Sequence, residues 1–297
     1  MRLRVLVTGA AGYLGRYVVR SFKREGYWIR VLVRNPKGLE ERGVFLEPSI
    51  KKYVDEIICG DIAQPLTLTN ICKDIDIVIS PTEIMHSRNR YLFIKQYYNG
   101  NKYLFKEAIR SSVKKVIIIS FFYAERYNLK YIKQSEHLTS KIRKKLKYAI
   151  IRPTAFFSDM TIFLKMAQRG YIYLVGEGEK RINPIHGEDL AKICLSVAKN
   201  DNIEEVNIGG PEIYTYKELA KMAFKIIKHK ENIIYISPKL ANFIIKFIKV
   251  IYPSLANRME FFNTVLQTDV IAPKYGTHLI KDYYQEIVAR SLPGKYY

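Results

Sequence analysis

The chain has 297 residues, 48% of them hydrophobic, which suits one large α/β domain or a core domain with a smaller lobe. Its 49 Lys+Arg against 28 Asp+Glu leave a net charge of +21, a balance that favours phosphates, nucleic acid or anionic lipid as partners. Cys59, Cys72 and Cys194 are odd in number, far apart and without metal-ligand spacing, and no apolar run reaches ~18 residues, so a disulfide framework, a cysteine metal site and a membrane span are all excluded.

The first residues, "MRLRVL", enter a strand over 2–8 with no signal-peptide pattern ahead of them. With the cysteines read as buried thiols, a reducing, cytoplasmic setting is expected. "VTGAAGYLG" comes next, and Gly9, Gly12 and Gly15, three apart, join that strand to a helix over 13–25. Such a turn gathers backbone N–H groups and the positive end of a helix at one point, where a dinucleotide pyrophosphate fits and side chains would block it. The second strand, 28–34, ends in Arg34, where an NAD-selective site would carry an acid for the ribose hydroxyls. Arg34 and Lys37 suit a 2′-phosphate instead, so NADP(H) is the expected cofactor, with NADPH preferred over NADH. Residues 35–55 read as a long connection. After a third strand at 55–59, Asp61 in "GDIAQP" can accept a hydrogen bond from an adenine amino group or cap a helix over 65–73.

Strands at 75–80 and 115–121 contain "DIVIS" and "KVIIIS", apolar without alternation, as expected when both faces of a sheet are buried. A helix over 90–111 separates them. A helix over 131–145 overlaps the basic cluster "KIRKKLKY" (141–148), read as a solvated face. No helix-turn-helix, zinc-finger or paired-aromatic motif accompanies the charge, so nucleic acid is not an expected partner. A strand at 147–152, helices at 157–169 and 187–199, a strand near 205–208 and further helices complete the chain. The alternation predicts an α/β fold, a doubly wound parallel sheet with a smaller C-terminal lobe. The expected boundaries are 1–155 for the nucleotide core and 156–297 for a substrate lobe, with late core elements returning around 182–208.

"VTGAAGYLG", "GDIAQP", "YYNGNKYLFKEAIRSSVKKVIIIS", "AIIRPTAFFSDM", "NPIHGEDLAKICL" and "VNIGGPEIYTYKELA" together resemble the atypical short-chain dehydrogenase/reductases, in their NmrA-like and divinyl-reductase-like branch. The resemblance covers nearly the whole chain and implies a Rossmann NAD(P)-binding core. It implies that Gly9, Gly12, Tyr13, Leu14 and Gly15 form the pyrophosphate loop and that Asp61 and Ile62 lie on the adenine side. It also implies that Ser80 passes the cofactor ribose, that Ser120 stands at the catalytic serine position, and that Arg152, Pro153, Thr154 and Phe156 belong to the segment beside the nicotinamide. One departure stands out. The Tyr-x-x-x-Lys pair of the wider family is absent from 121–140, since Tyr123, Tyr127 and Tyr131 each lack a lysine four residues on. "YIKQSEHL" resembles the K-x-x-[ST]-E variant of NmrA-like members, which makes Lys133 a candidate ribose ligand or proton donor, with Tyr123 a second candidate donor. His186 and Asp189 in "NPIHGEDL" are read as structural.

The expected function is an NADPH-dependent reductase of a small or planar apolar substrate, the lobe supplying Phe156, Phe157, Tyr171 and the helices from 238 on. The alternatives are a non-catalytic dinucleotide sensor or accessory protein of the NmrA-like kind, and a sugar-nucleotide epimerase-like enzyme. One further stretch, "PKLANFIIKFIKVIYPSLANRMEFF" (238–262), carries apolar residues at helical spacing beside Lys239, Lys246 and Lys249. It is expected either to pack its apolar stripe into the lobe or to touch an anionic membrane surface.

Overall fold

The computed structural model describes residues 2–81, 90–122, 136–138, 141 and 145–290, with backbone alone at 90–97, 254, 257 and 258. The first six strands are β1 (Arg4–Thr8), β2 (Trp28–Val33), β3 (Glu56–Cys59), β4 (Ile77–Ser80), β5 (Lys115–Ile119) and β6 (Lys147–Pro153); β7 (Ile172–Val175) and β8 (Arg181–Ile182) precede β9 (Glu205–Ile208). Seven of these form one sheet in the order β3-β2-β1-β4-β5-β6-β9. The pairings from β3 to β6 are parallel, with Val31 opposite Ile57, Val5 opposite Ile29 and Ile77, Val78 opposite Val116 and Ile117 opposite Ala149. β9 closes the other edge, with Ile150 N–H donating to Glu204 O (2.8 Å) and Thr154 N–H to Ile208 O (3.0 Å). β4 and β5 are buried at every residue, so these β-branched runs are covered on both faces.

Helices α1 (Tyr13–Arg24), α2 (Arg90–Arg110), α3 (Phe157–Gln168) and α4 (Gly187–Lys199) follow β1, β4, β6 and β8. On one face of the sheet α2 buries Leu104, Phe105 and Ala108 in a cluster with Leu6, Leu32, Val78, Val116 and Ile118. α1 and α4 pack together, joined by an Arg20–Glu188 ion pair (2.9 Å) and by Gly187 N–H donating to the Tyr13 hydroxyl (3.1 Å). Lys115, at the start of β5, is 2% exposed and donates to Val197 O (2.6 Å) and Asn200 O (2.7 Å), filling the carbonyls at the end of α4.

The chain divides into two compact units, one of Met1–Ser87, Leu92–Arg152 and Gly187–Asn207, the other of Arg88–Tyr91, Pro153–His186 and Ile208–Tyr297. Besides α3, β7 and β8, the second unit contains β10 (Tyr214–Thr215), α5 (Tyr216–Ile227), β11 (Ile233–Ile236), α6 (Pro238–Ile251), α7 (Pro253–Leu266) and α8 (Ile280–Arg290). β8 pairs antiparallel with β10, and β7 parallel with β11. α3, α5 and α8 pack on one another, with the Tyr284 hydroxyl donating to Met160 O (2.6 Å). Thr215 and Glu218 form a reciprocal cap at the start of α5: Glu218 N–H donates to Thr215 Oγ1 (3.1 Å) and Thr215 N–H to Glu218 Oε2 (2.7 Å). α6 and α7 form a helical hairpin, tied by Asn263 Nδ2 donating to Asn242 Oδ1 (2.8 Å).

The helix predicted over 65–73 is a single 3₁₀ turn, Pro65–Leu68, followed by turns. Asn70 and Asp74 have φ of 61° and 59°, outside the helical region, which stops it; the buried Arg30 guanidinium donates to Ile71 O and Lys73 O (both 2.8 Å) and holds the turns that follow. Of the three cysteines read as buried, Cys72 and Cys194 are buried, and burial pushes both thiols up to about 12. Cys59 is exposed, because β3 is the edge of the sheet. In the predicted helix 131–145 the described residues 136–138 and 141 are helical, Lys145 is in a turn, and the rest lie outside the described residues.

Candidate functional site

At the carboxyl end of β1 the chain turns through Gly9, whose φ is +60°, and Gly12 N–H donates to Gly9 O (3.0 Å). Gly12 is the N-cap of α1. No side chain caps this helix, and its first turn holds no acidic residue. A Cβ at Gly15 would lie 2.2 Å from Gly9 O and 2.8 Å from Ala10 Cα, so the helix backbone sits directly on the loop. A pyrophosphate asks for this construction: a positive helix end, no local carboxylate, and a loop with no side chain larger than the methyls of Ala10 and Ala11. The residues present fit a dinucleotide. Tyr13 and Leu14 belong to the loop by their backbone alone, since both side chains are buried.

The other strand ends lie beside this loop in the order of the sheet. Gly60 N–H donates to Val33 O (3.0 Å), which brings Asp61 next to the end of β2, where Arg34 begins. Arg34 and Lys37 are both exposed, and neither side chain has an ion pair among the described residues. The Asp61 carboxylate accepts from Ala63 N–H (2.9 Å), so it caps its own turn rather than a following helix, and Ile62 packs half-buried against the α2-side core. Ser80 is fully buried; Thr8 Oγ1 donates to its hydroxyl (3.1 Å), and that hydroxyl donates to Asn101 Oδ1 (2.9 Å).

Arg16 draws the long connection 35–55 onto this edge. It is 6% exposed, and its guanidinium donates to Ala11 O (2.8 Å), Glu41 O (2.6 Å), Pro48 O (3.1 Å) and Gly38 O. A segment with little regular structure is thereby held by one side chain of α1. Glu47 is buried in the same segment; burial lifts its carboxyl above the usual range, against the pull of backbone N–H groups and Arg16.

At the ends of β5 and β6, the Ser120 hydroxyl donates to Glu136 Oε1. Arg152 grips the same carboxylate with Nε (2.9 Å) and a terminal nitrogen (2.8 Å), and reaches Glu205 with the other (2.8 Å). Burial works against the Arg152 charge, but the two carboxylates outweigh it and hold this guanidinium above its usual pKa. Ser120 is therefore anchored to a half-buried ion pair. Tyr123 and Lys133 lie outside the described residues. Lys133 also stands three residues before Glu136, where the K-x-x-[ST]-E pattern needs four, a position held by Ile132. Pro153 and Phe156 belong to the second unit and are buried there. Phe157, expected to help line an apolar substrate site, is 1% exposed and packs against His186 and Tyr283, so it is core.

Glu136, Arg16 and Asn101 escaped the sequence reading. Asn101 had a visible signal, because it occupies the core-facing row of α2 with Leu104, Phe105 and Ala108, a polar residue where an apolar one is expected. Glu136 lay inside the quoted "YIKQSEHL" but was passed over for its lysine.

Comparison with known proteins bears on the family and the fold. The chain is 23% identical over 331 residues to a divinyl chlorophyllide a 8-vinyl-reductase of Arabidopsis thaliana, covering 99% of this chain and 78% of that protein. It is 28% identical over 252 residues to the photosystem II assembly factor Ycf39 of Guillardia theta, covering 81% of this chain and 76% of the relative. Among solved structures, the NADPH-dependent quinone oxidoreductase QOR2 of Escherichia coli, complexed with NADPH, shares the fold with a TM-score of 0.74 at 14% identity, over 96% of this chain and 99% of that one. The sequence model of the NAD(P)H-binding family matches residues 9–201, from the first glycine of the loop to beyond α4, and the chain belongs to that family.

Proposed function

We propose that this protein is an NADPH-dependent reductase of a small or planar apolar substrate. The observation that carries the cofactor choice is Arg34, an exposed cation at the end of β2 with Lys37 close behind it and no acid in its place. The name of the A. thaliana relative, a vinyl-reductase similar over nearly the full chain, supports the reaction class. When bound, NADPH supplies a hydride. Reduction of a polarised double bond takes that hydride on one atom and a proton on the other, so the chain's own task is to orient the substrate and deliver the proton. Lys133 and Tyr123 are the proposed donors, and Ser120, fixed by Glu136 and Arg152, is proposed to position the substrate.

A second reading is a dinucleotide-binding sensor or assembly protein. Two observations favour it: the absence of a Tyr-x-x-x-Lys pair from 121–140, and the Ser120 hydroxyl already committed to a carboxylate. The assembly-factor relative supports it as well. Equilibrium titration tests the cofactor reading first. NADPH should bind about tenfold or more tighter than NADH, ~1.4 kcal/mol, and Arg34→Glu should erase the difference. Equal affinities in the parent would remove the role given to Arg34. NADPH oxidation with a panel of enones and quinones then separates the two readings. Turnover that falls in Lys133→Met or Tyr123→Phe identifies the donor, and binding without turnover across the panel favours the sensor.

A further inference from the structure

α6 has a wide apolar arc that is buried along one part and exposed along the other. Ala241 and Ile245 are buried within the second unit, with Ile244 and Ile248 half-buried beside them. On the adjoining arc Leu240, Phe243, Phe247, Val250 and Ile251 recur at spacings of three, four, three and one, and they are 51%, 69%, 64%, 85% and 55% exposed. The row continues past the helix end into Tyr252 and Leu255, also exposed. Half of the sequence expectation is therefore met by packing, and the larger side chains are left over. Single exposed apolar residues need no explanation, but a contiguous row of this size on one helix does.

Charge identifies what covers it. At 3.6 residues per turn, Lys239 and Lys246 fall along one edge of the exposed row, with Lys249 just behind them, and all three are exposed. Lysine is depleted at the centres of protein–protein interfaces, and a chain of net charge +21 is repelled by a second copy of itself. A phenylalanine- and leucine-rich row with lysines at its edge suits a bilayer surface instead. The rings enter the headgroup boundary while the lysine stems reach back to anionic phosphates. A helix of 14 residues is about 21 Å long, too short for a ~30 Å hydrocarbon core, and no described helix is long and apolar enough to cross a membrane. We infer that α6 docks this protein on an anionic lipid surface, lying in the interface plane with Leu240, Phe243, Phe247, Val250 and Ile251 toward the lipid.

The test uses the full chain and phosphatidylcholine vesicles with or without phosphatidylglycerol. The parent should sediment with the anionic vesicles about tenfold or more better than with the neutral ones. High salt and Lys239→Ala/Lys246→Ala should each weaken that binding, and Phe243→Ser/Phe247→Ser should abolish it. Those phenylalanines are exposed, so the melting curve of the double variant should match the parent's. Hydrogen exchange on the unaltered chain reads the same contact without any substitution: amides over 240–251 should gain protection on anionic vesicles alone. Absence of binding to either vesicle would overturn the inference. So would a serine variant that is folded and binds like the parent, or unchanged exchange over 240–251 in vesicle-bound protein. A concentration-dependent dimer in vesicle-free buffer, lost in the serine variant, would assign the row to self-association instead.

Discussion

A methyl group at Gly15 would meet three backbone atoms, Gly9 O, Gly9 C and Ala10 Cα, none of which can rotate away. Gly15→Ala must therefore displace the loop itself. It should cost about 1–3 kcal/mol of stability and abolish dinucleotide binding, read by thermal melting and by NADPH fluorescence titration. Gly38→Ala is the matched control, because nothing lies within 4 Å of a Cβ there. It should melt and bind like the parent. The glycine spacing was legible in the sequence because backbone approach excludes side chains by type. The Ser120–Glu136–Arg152 contact was not, because it joins residues 16 apart through a carboxylate that no local pattern marks.

Between elements, two aspartates clamp the amino ends of the central strands. Asp76 accepts from Arg4 N–H (2.8 Å) and pairs with Lys114 (2.8 Å); Asp55 accepts from Ile29 N–H (2.7 Å) and pairs with Lys23 (2.5 Å). Burial alone would raise both carboxyls, but the lysines and backbone N–H groups prevail and hold them below the usual range. Their stabilisation is complete above the unfolded-state value of about 3.9, and it is lost as pH falls through the lower folded-state values. Asp76→Asn should cost about 1 kcal/mol in urea unfolding at neutral pH, and the gap to the parent should close in acid. Strands such as β4 and β5 were readable from unbroken apolar runs. The turns after Pro65–Leu68 were misread as helix because Leu68, Ile71, Cys72 and Ile75 do face the core at helix-like spacing. What stops the helix is the left-handed backbone at Asn70, and the turns beyond it are held by Arg30, some forty residues earlier in the chain, whose guanidinium donates to Ile71 O and Lys73 O.

Over the whole molecule, the excess of 49 − 28 = 21 positive charges exceeds what the ion pairs can neutralise, and self-repulsion acts against folding. Raising sodium chloride from ~0.01 M to ~1 M shortens the screening length from about 30 Å to about 3 Å. The melting temperature should rise over that range. A fall would mean that individual ion pairs outweigh the net repulsion. The alternation of elements made the layered core visible in the sequence. The exposure of α6 was not visible, since periodicity reports that a helix has an apolar side without saying whether anything lies against it.

The guanidinium of Arg16 is hydrogen-bonded to both the glycine loop, at Ala11 O, and the segment behind Arg34, at Gly38 O. Energies spent at either place are then shared, and the two halves of the nucleotide cradle respond as one body. In a double-mutant cycle on NADPH affinity, Arg16→Met and Arg34→Glu should show an interaction energy of about 0.5–3 kcal/mol, although the substituted positions are 18 residues apart. Strict additivity would mean that the glycine loop and the proposed 2′-phosphate contacts at Arg34 adjust independently. A selectivity change engineered at Arg34 should thus carry a cost or gain in pyrophosphate binding, so cofactor preference and overall cofactor affinity would evolve together in this chain.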